Sequence, residues 1–238
     1  MVEVIHYHDM LDFEKPGKSI YEVAFHHDGT WGNVLMPLTV INGTAGAGRS
    51  VACFGGTHGD EYEGQVAVWR LMHELDPAEM AGQVILIPRL NVPACAASRR
   101  ESPMDGVNMN RAFPGDPGGS MTYRIAHFVT SKIFPQVDVV IDIHSAGRGM
   151  QFALCTSFHQ VKDPKQYEEM KVVAGLFDGK VVSNVRGQTG PRLKTAEKGK
   201  LTLADPAQAQ AFEGKAFYVY DVGEGDAWRV PVTGYWER

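Results

Sequence analysis

From residue 50 onward, short unbroken apolar runs alternate with stretches whose apolar residues recur at helical spacing. Ser50–Phe54 runs into Gly55-Gly56, Val84–Pro88 is continuously apolar, and Val137–Ile143 is the strongest strand-like segment. Apolar runs without alternation suit strands that are buried on both faces. Between them, Val68, Leu71, Met72 and Leu75 fall on one face of a predicted helix. Ser120–Phe134 carries Ile125, Phe128, Val129 and Ile133 at the same spacing, and Lys165–Phe177 reads as a third helix. Strands alternating with helices predict an α/β sheet with crossover helices.

The residues before this region read differently. Ile20–Phe25 and Val34–Ile41 are strand-like, and Asn42–Gly48 is a glycine-rich connection. Pro37 lies inside the second run and predicts an edge strand or a break, because proline cannot donate to a ladder. A β-rich segment over 1–48, followed by a larger domain over 49–238, is the expected organisation. Asp178–Gln210 has weak periodicity and is expected to be irregular with at most one helix, before a last strand over Ala216–Val222.

Composition narrows the function. The 238 residues carry a net charge of −5, with 44% hydrophobic and 21% charged. This is globular usage with enough apolar residues for a sizeable core. No basic stripe is present, so nucleic acid is not an expected partner. No apolar run approaches the roughly 18 residues of a membrane span, and no basic-then-apolar leader opens the chain. Cys53, Cys95 and Cys155 are far apart with no CxxC, so neither a disulfide framework nor a cysteine-rich zinc site is expected. A reducing cytoplasm is the expected location.

The chemistry concentrates at two strand ends. Gly55-Gly56-Thr57-His58-Gly59-Asp60-Glu61 follows a predicted buried strand and opens a predicted helix. Ligands in open α/β sheets sit beyond the carboxyl ends of strands. His58 at the end of the turn and Glu61 in the first helical turn are three apart, a spacing that lets both side chains reach one point. Asp142-Ile143-His144-Ser145 ends a second strand, and His144 can complete a set of two histidines and one carboxylate. Three protein ligands with one position left open is the pattern of catalytic zinc. Asp142 shares a strand face with His144 and can orient it from behind. HxxE alone is a short and common pattern, and a single histidine at a strand end is more often structural. The shared context of the two segments raises the metal reading.

Between them lies a loop from Arg99 to Gly115 with arginines, asparagines, prolines and glycines. An arginine fork there can bind a carboxylate or stabilise an oxyanion, whereas a solvated loop with surface arginines is the plain alternative. A hydrolytic site also needs a carboxylate base. Asp221 and Glu224, near a predicted strand end, are the candidates; acidic residues beside glycine are also common in turns.

Together these segments resemble the succinylglutamate desuccinylase/aspartoacylase family of zinc deacylases, which shares the fold of the zinc carboxypeptidases. Gly55–Glu61 looks like the first metal motif. Arg100 through Pro114-Gly115 looks like the Arg…Ser-Pro…Asn-x-Asn-Arg-x-Phe-Pro-Gly stretch, and Asp142–Ser145 like the second metal motif. The wording, with Trp31-Gly32-Asn33-Val34 and Met36-Pro37-Leu38, is most like the subgroup acting on N-acetyl-diaminobutyrate in ectoine breakdown. The resemblance covers about residues 20–175. It implies a zinc-carboxypeptidase-like mixed sheet flanked by helices. It implies one Zn2+ held by His58, Glu61 and His144, with Arg100, Asn110 and Arg111 binding substrate. The implied reaction is attack of a metal-activated water on an N-acyl amino acid, giving a short acid and a free amine. The family's base is a glutamate in Thr-Glu-Leu-Gly-Gly; here Tyr220-Asp221-Val222-Gly223 stands nearest, with Glu224 as the second candidate. A metallocarboxypeptidase-type peptidase and a zinc-binding module without turnover are the competing readings. The implied partner is a small N-acyl amino acid, and homo-oligomerisation is left open.

Overall fold

The structure is a computed structural model that describes residues 2–6, 11–27, 29, 32–149, 155–159, 163–177, 180–184, 194–197 and 200–202. The predicted strand Ala216–Val222, with Asp221, and also Glu224, lie outside the described residues. The chain divides into two compact units, Met1–His144 and Ser145–Arg238.

The first unit is built on a mixed six-stranded sheet. Its strands are β1 (Val2–His6), β2 (Gly17–His26), β3 (Asn33–Asn42), β4 (Ser50–Gly55), β5 (Gln83–Ile87) and β6 (Val139–Ile143), in the spatial order β1-β2-β3-β5-β4-β6. β4 runs parallel to both β5 and β6, while β3 is antiparallel to β2 and β5. The strands before residue 48 therefore continue the same sheet as those after it. The mixed sheet flanked by helices is the expected fold class. β1 was not anticipated, because its five residues carry no apolar run.

α1 (Tyr62–Glu74) follows β4, α2 (Val92–Ala97) is a short helix after β5, and α3 (Met121–Phe128) runs on through a π-helical turn at Val129–Ile133. Helices α1 and α3 cover the two sheet faces. The central strands divide their side chains between the faces, as a pleat of period two requires. Ala52 and Phe54 of β4 and Ile85 and Ile87 of β5 pack with Ile125, Phe128 and Ile133 on the α3 side. Cys53 and Leu86 point the other way and pack with Val68 and Met72 of α1. The unbroken apolar runs in the sequence have this cause: both faces of β4 and β5 are covered.

Pro37 neither breaks β3 nor makes it an edge strand. β3 pairs with β2 over Asn33–Asn42, whereas β5 pairs only with Thr39–Asn42. The missing proline N–H thus falls where β2 alone flanks β3 among the described strands, a position proline tolerates.

In the second unit, β7 (Cys155–His159) runs parallel to β8 (Lys180–Asn184), with α4 (Pro164–Ala174) between them in sequence. The rings of Phe158 and Tyr167 meet at 5.4 Å and join helix to strand. β9 (Lys194–Glu197) and β10 (Lys200–Thr202) form a short antiparallel pair. The expectation of an irregular stretch from Asp178 is corrected here by β8, β9 and β10. These strands are only three to five residues long and mostly polar, so they lack the run of apolar residues that periodicity reads.

Candidate metal centre

Parallel neighbours β4 and β6 end in register, with Gly55 opposite Ile143. Both chain segments therefore leave the sheet at one edge, three residues before His58 and one before His144. The start of α1 presses close to β6. A Cβ on Gly64 would meet the Ile143 carbonyl oxygen at 2.5 Å, so only glycine permits this approach. Gly59 is as tightly enclosed, since a Cβ there would run into the Ala94 carbonyl. Gln65 braces the turn from within α1, donating to the carbonyls of Gly59 at 3.1 Å and Glu61 at 3.2 Å. Glu61 stands at the N-cap, one residue before the helix, rather than in its first turn as expected. Its backbone is non-helical there (φ −96°, ψ 89°).

Three side chains converge as a result. His58 Nδ1 lies 2.8 Å from Glu61 Oε1, His144 Nδ1 lies 2.8 Å from Glu61 Oε2, and the two Nδ1 atoms are 3.1 Å apart. All three residues are buried, and among the described residues they form a group able to hold a metal ion. A tetrahedral ion with nitrogen and oxygen bonds of roughly 2.0–2.1 Å has ligand atoms about 3.3 Å apart. The observed spacings of 2.8–3.1 Å are near that value.

The far side of each imidazole is also engaged. His144 Nε2 lies 2.8 Å from Asp142 Oδ2, and Thr57 Oγ1 donates to Asp142 Oδ1 at 2.7 Å. His58 Nε2 lies 3.3 Å from Asn108 Oδ1 and 3.2 Å from Asn110 Nδ2. An Nε2–H directed at Asp142 or Asn108 leaves the Nδ1 lone pair facing the cluster, the tautomer a metal ligand needs.

The charges agree with a cation site. Burial raises the Glu61 carboxyl, but hydrogen bonds and charge from His144 and His58 outweigh it and hold the group well below the usual carboxylate range. Burial lowers His58, with His144 adding to the effect, which favours a neutral imidazole. Burial also acts to lower His144, yet Asp142 and Glu61 on either side raise it. Two buried carboxylates around one imidazole call for a positive charge between them, which a metal ion supplies in place of the proton.

The arginine and asparagine loop closes over this cluster. Gly59 N–H donates to the Arg99 carbonyl at 2.8 Å, tying the loop to the His58 turn. Arg100 Nη1 donates to Glu61 Oε1 at 3.1 Å. Asn108 caps the short 3-10 turn Met109–Arg111 by accepting from Asn110 N–H at 3.0 Å. Arg100 and Asn110 thus stand beside the cluster, and Arg111 is exposed at the end of the turn. Sequence reading did not single out Asn108 or Thr57. Asn108 was visible only as part of an Asn-x-Asn pattern, and the Thr57 contact to Asp142 spans 85 residues.

The comparisons agree with this geometry. Residues 47–201 match the model of the succinylglutamate desuccinylase/aspartoacylase catalytic domain, so the likeness extends beyond residue 175, where the resemblance read from the sequence ended. The N-alpha-acetyl-L-2,4-diaminobutyric acid deacetylase of Halomonas elongata is 42% identical over 159 residues, 66% of this chain and 46% of that protein. A solved succinylglutamate desuccinylase/aspartoacylase from Rhodobacter sphaeroides is 38% identical at a TM-score of 0.64, covering 69% of this chain and 51% of the other. The product-bound ectoine utilization protein EutE (DoeB) from Ruegeria pomeroyi is 32% identical at a TM-score of 0.69, covering 74% and 54%. The chain spans about half the length of these relatives. With the catalytic-domain match extending over most of its length, the chain belongs to the succinylglutamate desuccinylase/aspartoacylase family.

Proposed function

We propose that this chain is a zinc-dependent amide hydrolase that removes a short acyl group from an N-acyl amino acid or diamino acid. The observation that carries the reading is the buried convergence of His58 Nδ1, Glu61 and His144 Nδ1 beside Arg100 and Asn110. In this reading those three side chains hold one Zn2+. When bound, zinc acts as a Lewis acid that polarises an acyl carbonyl and lowers the pKa of water. The Arg100 and Arg111 guanidiniums and the Asn110 amide bind the substrate carboxylate and steady the carbonyl oxygen as negative charge develops. Asp221 or Glu224 takes a proton from the attacking water and returns it to the departing amine nitrogen, so one water is consumed and a carboxylic acid and an amine are released. The Halomonas elongata relative, named for an acetylated diamino acid, supports that substrate class. The free thiols of Cys53 and Cys95 support a reducing, cytoplasmic setting.

The test joins metal analysis to an amine-release assay on N-acetyl and N-succinyl amino acids, with dipeptides alongside. The expected result is about one zinc per chain with release from N-acyl amino acids, and loss of both in His144→Ala. Full zinc content in His144→Ala would overturn the ligand set. Release from dipeptides alone would replace the deacylase reading with a peptidase.

A further inference from the structure

The loop over the metal cluster touches it at both ends, through Arg100 on one side and through Asn108 and Asn110 on the other. Its middle is held elsewhere, at the start of α3. In that middle stretch Ser102 and Val107 close a tight turn, with Ser102 N–H donating to the Val107 carbonyl at 3.2 Å and Gly106 N–H to the Ser102 carbonyl at 2.8 Å. Asp105 stands at the tip and accepts four hydrogen bonds. Oδ2 accepts from Thr122 N–H at 2.8 Å and Ser120 Oγ at 2.7 Å, while Oδ1 accepts from Thr122 Oγ1 at 2.9 Å and Val107 N–H at 3.1 Å.

Helices normally satisfy their first N–H groups with the side chain of the N-cap residue. In α3 the N-cap is Ser120, whose side chain caps nothing within its own helix. Its hydroxyl donates outward to Asp105 instead, and Asp105 accepts the Thr122 N–H that a cap would satisfy. The cap of α3 is thus supplied by the loop. α3 is itself held firmly, since Ile125 and Phe128 are fully or almost fully buried in the core. Burial works to raise the Asp105 carboxyl, but the bonds from Thr122, Ser120 and Val107 outweigh it and lower its pKa, so the group is anionic at neutral pH.

We propose that Asp105 is a positioning residue for the substrate-binding loop. By docking the loop's tip on the start of α3, it fixes where Arg100 and Asn110 stand relative to His58 and Glu61. The bonds of Asp105 go to Val107, Ser120 and Thr122 and not to the cluster. It acts through three residues of chain to Asn108 and five to Arg100. The role deepens the deacylase reading, and its kinetic test rests on that reading, while the anchoring itself does not.

The test compares Asp105→Ala, Asp105→Asn and Thr122→Val with the wild-type chain. Thr122→Val keeps the N–H and the shape of a buried residue and removes only the bond at 2.9 Å, so it gives a milder lesion should Asp105→Ala fold poorly. With N-alpha-acetyl-2,4-diaminobutyrate and the acyl amino acid panel, KM is expected to rise roughly tenfold or more in Asp105→Ala, with zinc content kept. Asp105→Asn, which retains one acceptor oxygen, and Thr122→Val should fall in between. A purely structural cap gives a different signature, because an unfolded fraction lowers the apparent kcat and leaves KM unchanged. A lower Tm with unchanged KM in all three variants would overturn the proposal. Amide hydrogen exchange reads the anchor without turnover: uptake across residues 99–111 should rise in Asp105→Ala while β4 and β5 stay protected. Equal uptake in that loop would overturn the anchor. An inactive wild-type chain would instead remove the deacylase reading and leave the exchange comparison to decide.

Discussion

The second carboxylate behind His144 is the residue on which the metal reading bears most directly. Asp142 is buried, held by Thr57, and 2.8 Å from His144 Nε2. Replacing it by asparagine keeps the size but removes the charge, and the amide can present a donor where the imidazole N–H needs an acceptor. Zinc affinity of Asp142→Asn, measured by competition with a chromophoric chelator, is expected to fall about 10–100-fold. Unchanged affinity would show that Asp142 serves the fold alone. His58, Glu61 and His144 could be named from the sequence because they follow two strand ends in segments that contain glycine, where ligands of an open α/β sheet are expected. Their partners were harder to see. Asn108 meets His58 across 50 residues and Asp105 meets Thr122 across 17, and neither separation leaves a periodic trace.

At the scale of elements, the site exists because α1 starts hard against β6. Gly64 is the contact, and it occupies the third position of a helix, where alanine is intrinsically better by about 1 kcal/mol. Steric crowding decides the outcome, since a Cβ at 2.5 Å from a backbone oxygen forces the elements apart. Gly64→Ala is therefore expected to lose about 1–3 kcal/mol in denaturant unfolding despite its helix propensity. It should also weaken zinc binding, because Glu61 moves with the helix start. A gain in stability would show that the approach of α1 to β6 is loose. The elements that build this contact, β4, β6 and α1, were all legible, being mostly apolar runs or a strong helical face. The elements that were not legible share a physical cause. α2 is six residues, β1 and β7 are five, and β9 and β10 are four and three. The strands among them lack the unbroken apolar run that marks the equally short β5 and β6, α2 is too short for a helical period to show, and all of them are specified by the partners they meet rather than by their own pattern. The Pro37 expectation failed in the same way: what matters for a proline is which neighbouring strand reaches its residue, and that depends on where β5 ends.

For the molecule as a whole, the sheet order explains why one unit carries the whole cluster. β4 and β6 are neighbours in space but lie on opposite sides of β5 in sequence, with α1, α2 and α3 threaded between them. No helix among the described residues is long and apolar enough to cross a membrane. Stripping metal with a chelator is expected to lower the Tm of the wild-type chain, and zinc should restore it. A ligand bound only to the folded state at a hundred times its Kd stabilises by about 2.7 kcal/mol. His144→Ala should show neither response. A wild-type Tm indifferent to both chelator and zinc would count against an ion bridging the two segments.

Such bridging would have one more consequence. His58 and His144 are 86 residues apart, yet their Nδ1 atoms are 3.1 Å from each other. An ion shared between them would be a reversible cross-link that closes most of the first unit into a loop, fastening the last strand of the sheet to the turn after β4. Large loops are where such a clasp acts most strongly on the unfolded chain. The amount of folded protein in a cell would then follow the supply of metal, quite apart from any reaction carried out at the site.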